Sequence, residues 1–106
     1  MDLPVFFTGL AEEDLDEIEG YIAERDPAAA ARVRKAIVQQ TLQLGRTAEK
    51  GVALKDPRGD DELGVRLWPV TRYRNYLILY RVELDLIRVL RILHAAQDWT
   101  RFFNTN

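Results

Sequence analysis

Two consecutive runs of β-branched, aliphatic and aromatic residues between Tyr73 and Asp98 constrain the fold most. The first reads Tyr-Leu-Ile-Leu-Tyr-Arg-Val from Tyr76, and the second reads Ile-Arg-Val-Leu-Arg-Ile-Leu-His from Ile87. Such residues favour β-strands, and the short segment 83–86 between the runs is typical of a hairpin. Because neither run is apolar on one face only, we expect both strands in the centre of a sheet, with both faces at least partly covered.

Strict alternation predicts which residues of these strands share a face. In the second strand, one face is predicted to hold Arg88, Leu90, Ile92 and His94, and the other Ile87, Val89, Arg91 and Leu93. In the first strand, Tyr76, Ile78, Tyr80 and Val82 are predicted to oppose Leu77, Leu79 and Arg81.

The chain length and composition indicate one ordinary globular domain. With 106 residues, 47% hydrophobic and 30% charged, we expect a single domain over 1–106, with a core of about 3–98 and a tail at 99–106. The absence of cysteine excludes disulfides and thiolate metal sites and favours a cytoplasmic location. No apolar run could span a membrane, and the amino terminus lacks the basic region of a secretory signal. We expect no metal and no cofactor.

The formal net charge of −2 conceals an asymmetry between the two halves of the chain. Residues 1–49 hold five basic and ten acidic side chains, whereas 50–106 hold ten basic and seven acidic. Between 63 and 98 there are six arginines and three acids. Because arginine binds carboxylates and phosphates through two parallel hydrogen bonds, this balance suggests an anionic partner. A solvated arginine face explains it equally well.

The amino-terminal half predicts one strand and two antiparallel helices. Residues 3–7 form the strand, Thr8 caps the first helix, and Asp26-Pro27 begins the second, which Gly45 ends. Apolar spacings of three and four predict buried stripes at Ala11, Leu15, Ile18 and Ile22, and at Ala30, Val33, Ile37, Thr41 and Leu44. The acids of 12–24 are predicted to form a solvated face.

The segment 46–63 shows no periodicity and is predicted to be a long loop. A strand follows at 65–70, where Pro69 predicts an edge position or a bulge. The order β-α-α-β-β-β predicts an α+β fold, with the helical hairpin packed on one face of a small, mostly antiparallel sheet.

Three segments carry a family resemblance, and they are Arg66-Leu-Trp-Pro-Val-Thr-Arg-Tyr, Tyr76-Leu-Ile-Leu-Tyr-Arg-Val and Arg91-Ile-Leu-His-Ala-Ala-Gln-Asp98. In order and spacing they resemble the ParE branch of the RelE/ParE toxin superfamily. The helix at 10–24 and the Asp-Pro-small-Ala start of the second helix agree, so the resemblance spans roughly 6–98. Ala95 and Gln97 depart from it, since the family often has glycine and a basic residue there.

The resemblance implies the toxin of a bacterial type II toxin–antitoxin pair, held in a hetero-oligomer by a small cognate antitoxin. ParE-like members poison DNA gyrase, whereas RelE-like members cut mRNA on the ribosome. Residues expected to bind the target or the antitoxin are Arg66, Arg72, Arg74, Arg81, Arg91, Trp99, Phe102 and Phe103. Trp99, Phe102 and Phe103 either pack on the sheet or form an exposed patch, and we favour the patch because chain ends are usually poorly tied down.

Catalysis is the alternative to binding. A metal-free ribonuclease needs a general base, a general acid and cations for the developing charge. His94, with Arg74, Arg81 and Arg91, is the candidate set, because His94 alone titrates near neutrality. We favour a structural His94, since the ParE-like ending accompanies a branch not regarded as ribonucleolytic. Three functions stay open: a gyrase-binding toxin, a ribosome-dependent mRNA endonuclease and a non-toxic binding module of the same fold.

Overall fold

The computed structural model describes residues 2–55, 62–73 and 75–96. Its elements, in chain order, are β1 (Val5–Phe7), α1 (Gly9–Ala23), α2 (Pro27–Gln43), β2 (Val52–Lys55), β3 (Glu62–Pro69), β4 (Tyr76–Val82) and β5 (Ile87–His94). Within these ranges, neither helix has the length and apolar character needed to cross a membrane.

The five strands form one sheet in the order β1-β5-β4-β3-β2. β1 runs parallel to β5, and all other neighbours are antiparallel. The helical hairpin follows β1 in the chain, and the last strand, β5, pairs with β1 in the sheet. β4 and β5 therefore lie inside the sheet, which confirms the predicted central hairpin and the α+β fold.

Both helices begin at the predicted caps. The Thr8 hydroxyl oxygen accepts from the Ala11 N–H at 3.1 Å, and the same hydroxyl donates to the Leu90 carbonyl at 2.9 Å. Thr8 thus caps α1 and ties its first turn to β5. Asp26 accepts from the Ala29 N–H at 3.0 Å, and Pro27 occupies the first helical position of α2, where its missing N–H costs nothing.

The core lies between the hairpin and one face of the sheet. The predicted helix stripes face it, with Ala11, Leu15, Ala30, Val33, Ile37, Thr41 and Leu44 buried. They meet Val70, which directly follows β3, and five strand residues, namely Ile78, Tyr80, Ile87, Val89 and Ile92. A smaller cluster of Val65, Leu79 and Leu93 lies on the opposite face, with Leu67, Leu77 and Leu90 packed against it. Burial on both faces confirms the expectation for the central strands.

A β-bulge in β5 contradicts the strict alternation predicted there. Leu79 pairs with Arg91, but the next residue, Tyr80, pairs with Val89, so that Leu90 is inserted without a partner of its own. A bulge of this kind places two residues of one strand opposite one residue of the other.

Side chains of a strand alternate between its two faces, so the inserted residue moves each later side chain of β5 to the face opposite the predicted one. Ile92 joins Ile87 and Val89 in the cluster under the helices. Leu93 joins Leu90 on the opposite face. The prediction that Ile92 opposes Ile87 and Val89 was wrong for this reason.

The prediction of one long loop at 46–63 was also wrong. β2 forms within it, with Val52 opposite Leu67, and β3 begins at Glu62 rather than at residue 65. A four-residue strand shows too little alternation to be recognised before its partner is known. β3 lies inside the sheet, between β2 and β4. Among the described pairs, Leu67 is the last residue of β3 that pairs with β2, and Pro69 lies two residues beyond it. The missing N–H of Pro69 therefore interrupts no ladder.

Candidate functional site

An ion pair between Asp14 and Arg91 joins α1 to β5. Arg91 Nε donates to Asp14 Oδ2 and Arg91 Nη2 donates to Asp14 Oδ1, both at 2.8 Å. Next to the bulge, the Ile92 N–H donates to the same carboxylate at 2.9 Å. Donation to the Asp14 carboxylate raises the pKa of Arg91. The guanidinium is therefore held in a fixed orientation by a planar, bidentate contact.

The expectation that the acids of 12–24 form a solvated face was wrong for Asp14. Its side chain is only 10% exposed, and that of Arg91 is 22% exposed. The sequence does contain a signal for this, since Asp14 follows Ala11 by three residues and precedes Ile18 by four. An acid within an apolar helix stripe needs a buried partner.

A cleft of about 390 Å³ opens beside this ion pair, between α1 and strands β4 and β5. Besides Asp14 and Arg91, its lining residues are Glu17, Ile18, Tyr21, Tyr76, Ile92 and His94. Burial is the main cause that raises the pKa of the Tyr76 phenol, and the electrostatic interaction with Tyr21 raises it further. The cleft thus combines apolar, aromatic and carboxylate groups, which is the composition of a binding site.

His94 lies at the rim of this cleft. Its ring meets the Tyr76 ring edge to face, with centroids 5.4 Å apart and planes at 89°. The His94 Nδ1 atom accepts from the Ala96 N–H at 3.0 Å. The neutral imidazole therefore carries its proton on Nε2.

The other candidate arginines do not gather at this cleft. Arg66 donates to the carbonyls of Gly51 at 2.7 Å and Glu49 at 3.2 Å, so it anchors the turn before β2. Arg72 is exposed after β3, beside a second cleft that Arg32 and Lys35 of α2 also line. Arg74, Trp99, Phe102 and Phe103 lie outside the described residues, and their proposed roles stay predictions.

Arg81 is exposed on the sheet face opposite the helices, directly across from Arg88. Arg88 is paired with Glu83 through hydrogen bonds of 2.9 and 3.2 Å, which lower the pKa of Glu83. His94 pairs with Tyr76 of β4, and Arg81 lies five residues beyond Tyr76 on that strand. Arg81 and His94 are therefore separated by roughly 16 Å along the strand direction.

Tyr80 is a buried residue whose polar contacts the sequence does not reveal. Its hydroxyl accepts from the Gly51 N–H and donates to the Ala48 carbonyl, both at 2.8 Å. Burial raises the pKa of this phenol. Over the described ranges, no three carboxylates or imidazoles lie close enough together to hold a metal ion.

Comparisons with known proteins agree with this architecture. The sequence model of the ParE toxin of the type II toxin–antitoxin system ParDE matches residues 5–99. A search of curated proteins finds no match. Among solved structures, a chain of the chromosomal ParDE toxin–antitoxin system of P. aeruginosa is similar, with a TM-score of 0.70 and 27% identity over 87% of this chain and 95% of that one.

Two further solved structures share the fold. A chain of the RelBE2 toxin–antitoxin complex of Mycobacterium tuberculosis has a TM-score of 0.64 and 23% identity, over 89% of this chain and 99% of that one. A conserved hypothetical protein of Helicobacter pylori has a TM-score of 0.55 and 17% identity, over 90% and 97%. Since the family match covers nearly the whole described fold, the chain belongs to the ParE toxin family of type II toxin–antitoxin systems.

Proposed function

We propose that this chain is a toxin that a cognate antitoxin neutralises, and that it inhibits DNA gyrase by direct binding without catalysis of its own. Membership of the ParE family and the likeness to a ParDE chain at 27% identity support a toxin. The finer choice between a gyrase inhibitor and an RNA-cleaving enzyme rests on the placement of a few side chains.

The observation that carries the proposal is the separation of the candidate catalytic groups. A metal-free ribonuclease must bring its acid, its base and its cations to one phosphate. Here the Arg91 guanidinium is bound to Asp14, and Arg81 lies on the other face of the sheet from His94. Among the described residues, this arrangement favours recognition by surface contacts over phosphate cleavage.

The helical hairpin supports the antitoxin part of the proposal. Arg34 of α2 donates to Asp16 at 2.8 Å and to Glu19 at 3.0 Å, both on α1, so the two helices are cross-linked. Ala28 and Ala31 are exposed at the start of α2. A rigid surface with small side chains suits an antitoxin segment that folds on contact, running along the hairpin and up to the sheet.

The test pairs two assays on the purified chain. We expect inhibition of gyrase supercoiling, or trapping of cleaved DNA, and no ribosome-dependent mRNA cleavage. Added antitoxin should restore supercoiling. If the chain cuts mRNA on the ribosome and spares gyrase, the endonuclease function is the correct one.

His94→Ala gives the matching genetic test. A general acid or base contributes about 10²–10⁴ in rate, so its loss would abolish an enzyme's toxicity at ordinary expression. A non-catalytic toxin should still arrest growth as a His94→Ala variant, provided that its folding is intact. Loss of arrest together with loss of mRNA cleavage would contradict the proposal.

A further inference from the structure

The cleft beside the Asp14–Arg91 pair has features that toxin–antitoxin pairing and gyrase inhibition do not account for. Its volume of about 390 Å³ lies within the range of about 300–1,000 Å³ typical of ligand sites. Ile18 and Ile92 contribute apolar surface, and Tyr21 and Tyr76 contribute aromatic rings. This is a shaped concavity with a mixed lining rather than a flat charged surface.

The electrostatic balance of the cleft is negative. Its one cation, Arg91, is already bound to Asp14 through two hydrogen bonds. Glu17 and Glu13 also act on Arg91, since both help to raise its pKa. Among the residues that line the cleft, Asp14 and Glu17 face the single guanidinium of Arg91, which leaves an excess of one negative charge. Over the described part of the chain, Glu17 forms no hydrogen bond or salt bridge.

Glu17 and Tyr21 are placed to act together. They are four residues apart on α1, so their side chains are neighbours on one face of the helix. The Tyr21 side chain is an exposed large hydrophobic group, with 71% of the residue accessible to solvent. On the opposite wall, the edge-to-face contact with His94 holds the ring of Tyr76 in place.

We propose that this cleft binds the guanidinium of an arginine side chain presented by a partner protein. The planar guanidinium stacks on the Tyr21 ring and donates two parallel hydrogen bonds to the Glu17 carboxylate, while its methylene stem packs on Ile18 and Ile92. Lysine cannot make the bidentate contact. An anion would meet excess negative charge, and an uncharged apolar group would bury Glu17 without a partner.

The proposal is independent of gyrase inhibition, because an arginine could come from any protein that covers α1 and β5. A chain that fails to inhibit gyrase would still bind the guanidinium, and a gyrase inhibitor could lack this site. The test therefore uses a small probe rather than a partner protein.

The experiment is an NMR titration of the full chain with ethylguanidinium chloride, followed through the ring signals of Tyr21 and Tyr76. We expect saturable shifts with a Kd on the order of millimolar, as befits a fragment of this size. Ethylurea, which has the same shape without the charge, should bind about tenfold more weakly or not at all.

Three variants locate the site. Glu17→Gln should weaken binding by about tenfold, and Tyr21→Ala should remove the stacking surface, whereas Tyr21→Phe should retain binding. Glu24→Gln removes an exposed carboxylate from the residue that directly follows α1 and serves as the matched control, with unchanged binding. The proposal is overturned if the tyrosine signals do not shift saturably, if ethylurea binds equally well, or if a folded Glu17→Gln variant binds like the wild type.

Discussion

Arg91 of β5 and Asp14 of α1, 77 residues apart in sequence, face each other through two hydrogen bonds of 2.8 Å. The pair fastens the first helix to a central strand at the point where the bulge disrupts the ladder. A buried ion pair adds little net stability compared with apolar packing, but removal of one partner leaves the other charge buried and unpaired. The contribution of the pair to stability is therefore best measured by replacing one of its two residues.

Asp14→Ala should lower the free energy of unfolding by about 2–3 kcal/mol, somewhat below the cost for a fully buried pair because Arg91 keeps some solvent access. Urea unfolding measures this loss. Asp16→Ala is the control, because Asp16 also pairs with an arginine but its side chain is 72% exposed. That change should cost only about 0–1 kcal/mol. Equal losses in the two variants would contradict the fastening role of Asp14.

Tyr80 should make the fold sensitive to alkaline pH. Burial raises its pKa above the ordinary value of 10.0, so the folded chain holds the phenolic proton more tightly than the unfolded chain. The resulting stability is fully present below about pH 10 and is lost as the pH rises through the folded-state pKa. Tyr80→Phe should therefore show a shallower decline of the unfolding free energy above about pH 10.

At neutral pH the same Tyr80→Phe variant should be less stable by about 1–3 kcal/mol, because the Gly51 N–H and the Ala48 carbonyl lose their partner. Val70→Ala is the control, since it weakens the core without removing a titrating group. Urea unfolding at a series of pH values compares the slopes. A Tyr80→Phe slope parallel to that of the wild type would show that Tyr80 is not responsible.

Two glycines should respond to alanine in opposite directions. Gly20 lies inside α1 with open space where a Cβ would be, so Gly20→Ala should stabilise the chain by about 0.5–1 kcal/mol. Gly45 follows α2, and a Cβ there would collide with the Leu3 carbonyl oxygen. Gly45→Ala should destabilise by about 1–3 kcal/mol. Thermal melting tests both, and shifts of the same sign would contradict this packing.

Two arginines, Arg74 and Arg81, should contribute to antitoxin binding. Replacing Arg74 and Arg81 together by glutamate should weaken the complex by about tenfold or more, through lost charge-assisted contacts. Isothermal titration calorimetry with the cognate antitoxin measures the change. Arg46→Glu reverses another exposed charge, one paired with Asp2 at 3.3 Å, and should leave the affinity unchanged. Retained affinity in a folded double variant would place the antitoxin elsewhere.

The features that were predictable from the sequence are those that depend on neighbouring residues. Thr8 and Asp26 cap their helices because each oxygen bonds an N–H only three residues away. The stripes of α1 and α2 follow from the helical repeat, since a chain of this size buries whichever face is apolar. The central hairpin followed in the same way from two β-rich runs and a short turn.

Tertiary structure alone decided the features that join distant parts of the chain. The insertion of Leu90 depends on how β5 meets β4, and no local pattern distinguishes a bulge from regular alternation. β2 exists because β3 pairs with it, and Asp14 is buried because Arg91 and the Ile92 N–H contact it from β5, which is distant in the sequence. Local sequence sets the preferences of a helix or a strand, but a buried charge or a shifted register is stable only when its distant partner is in place.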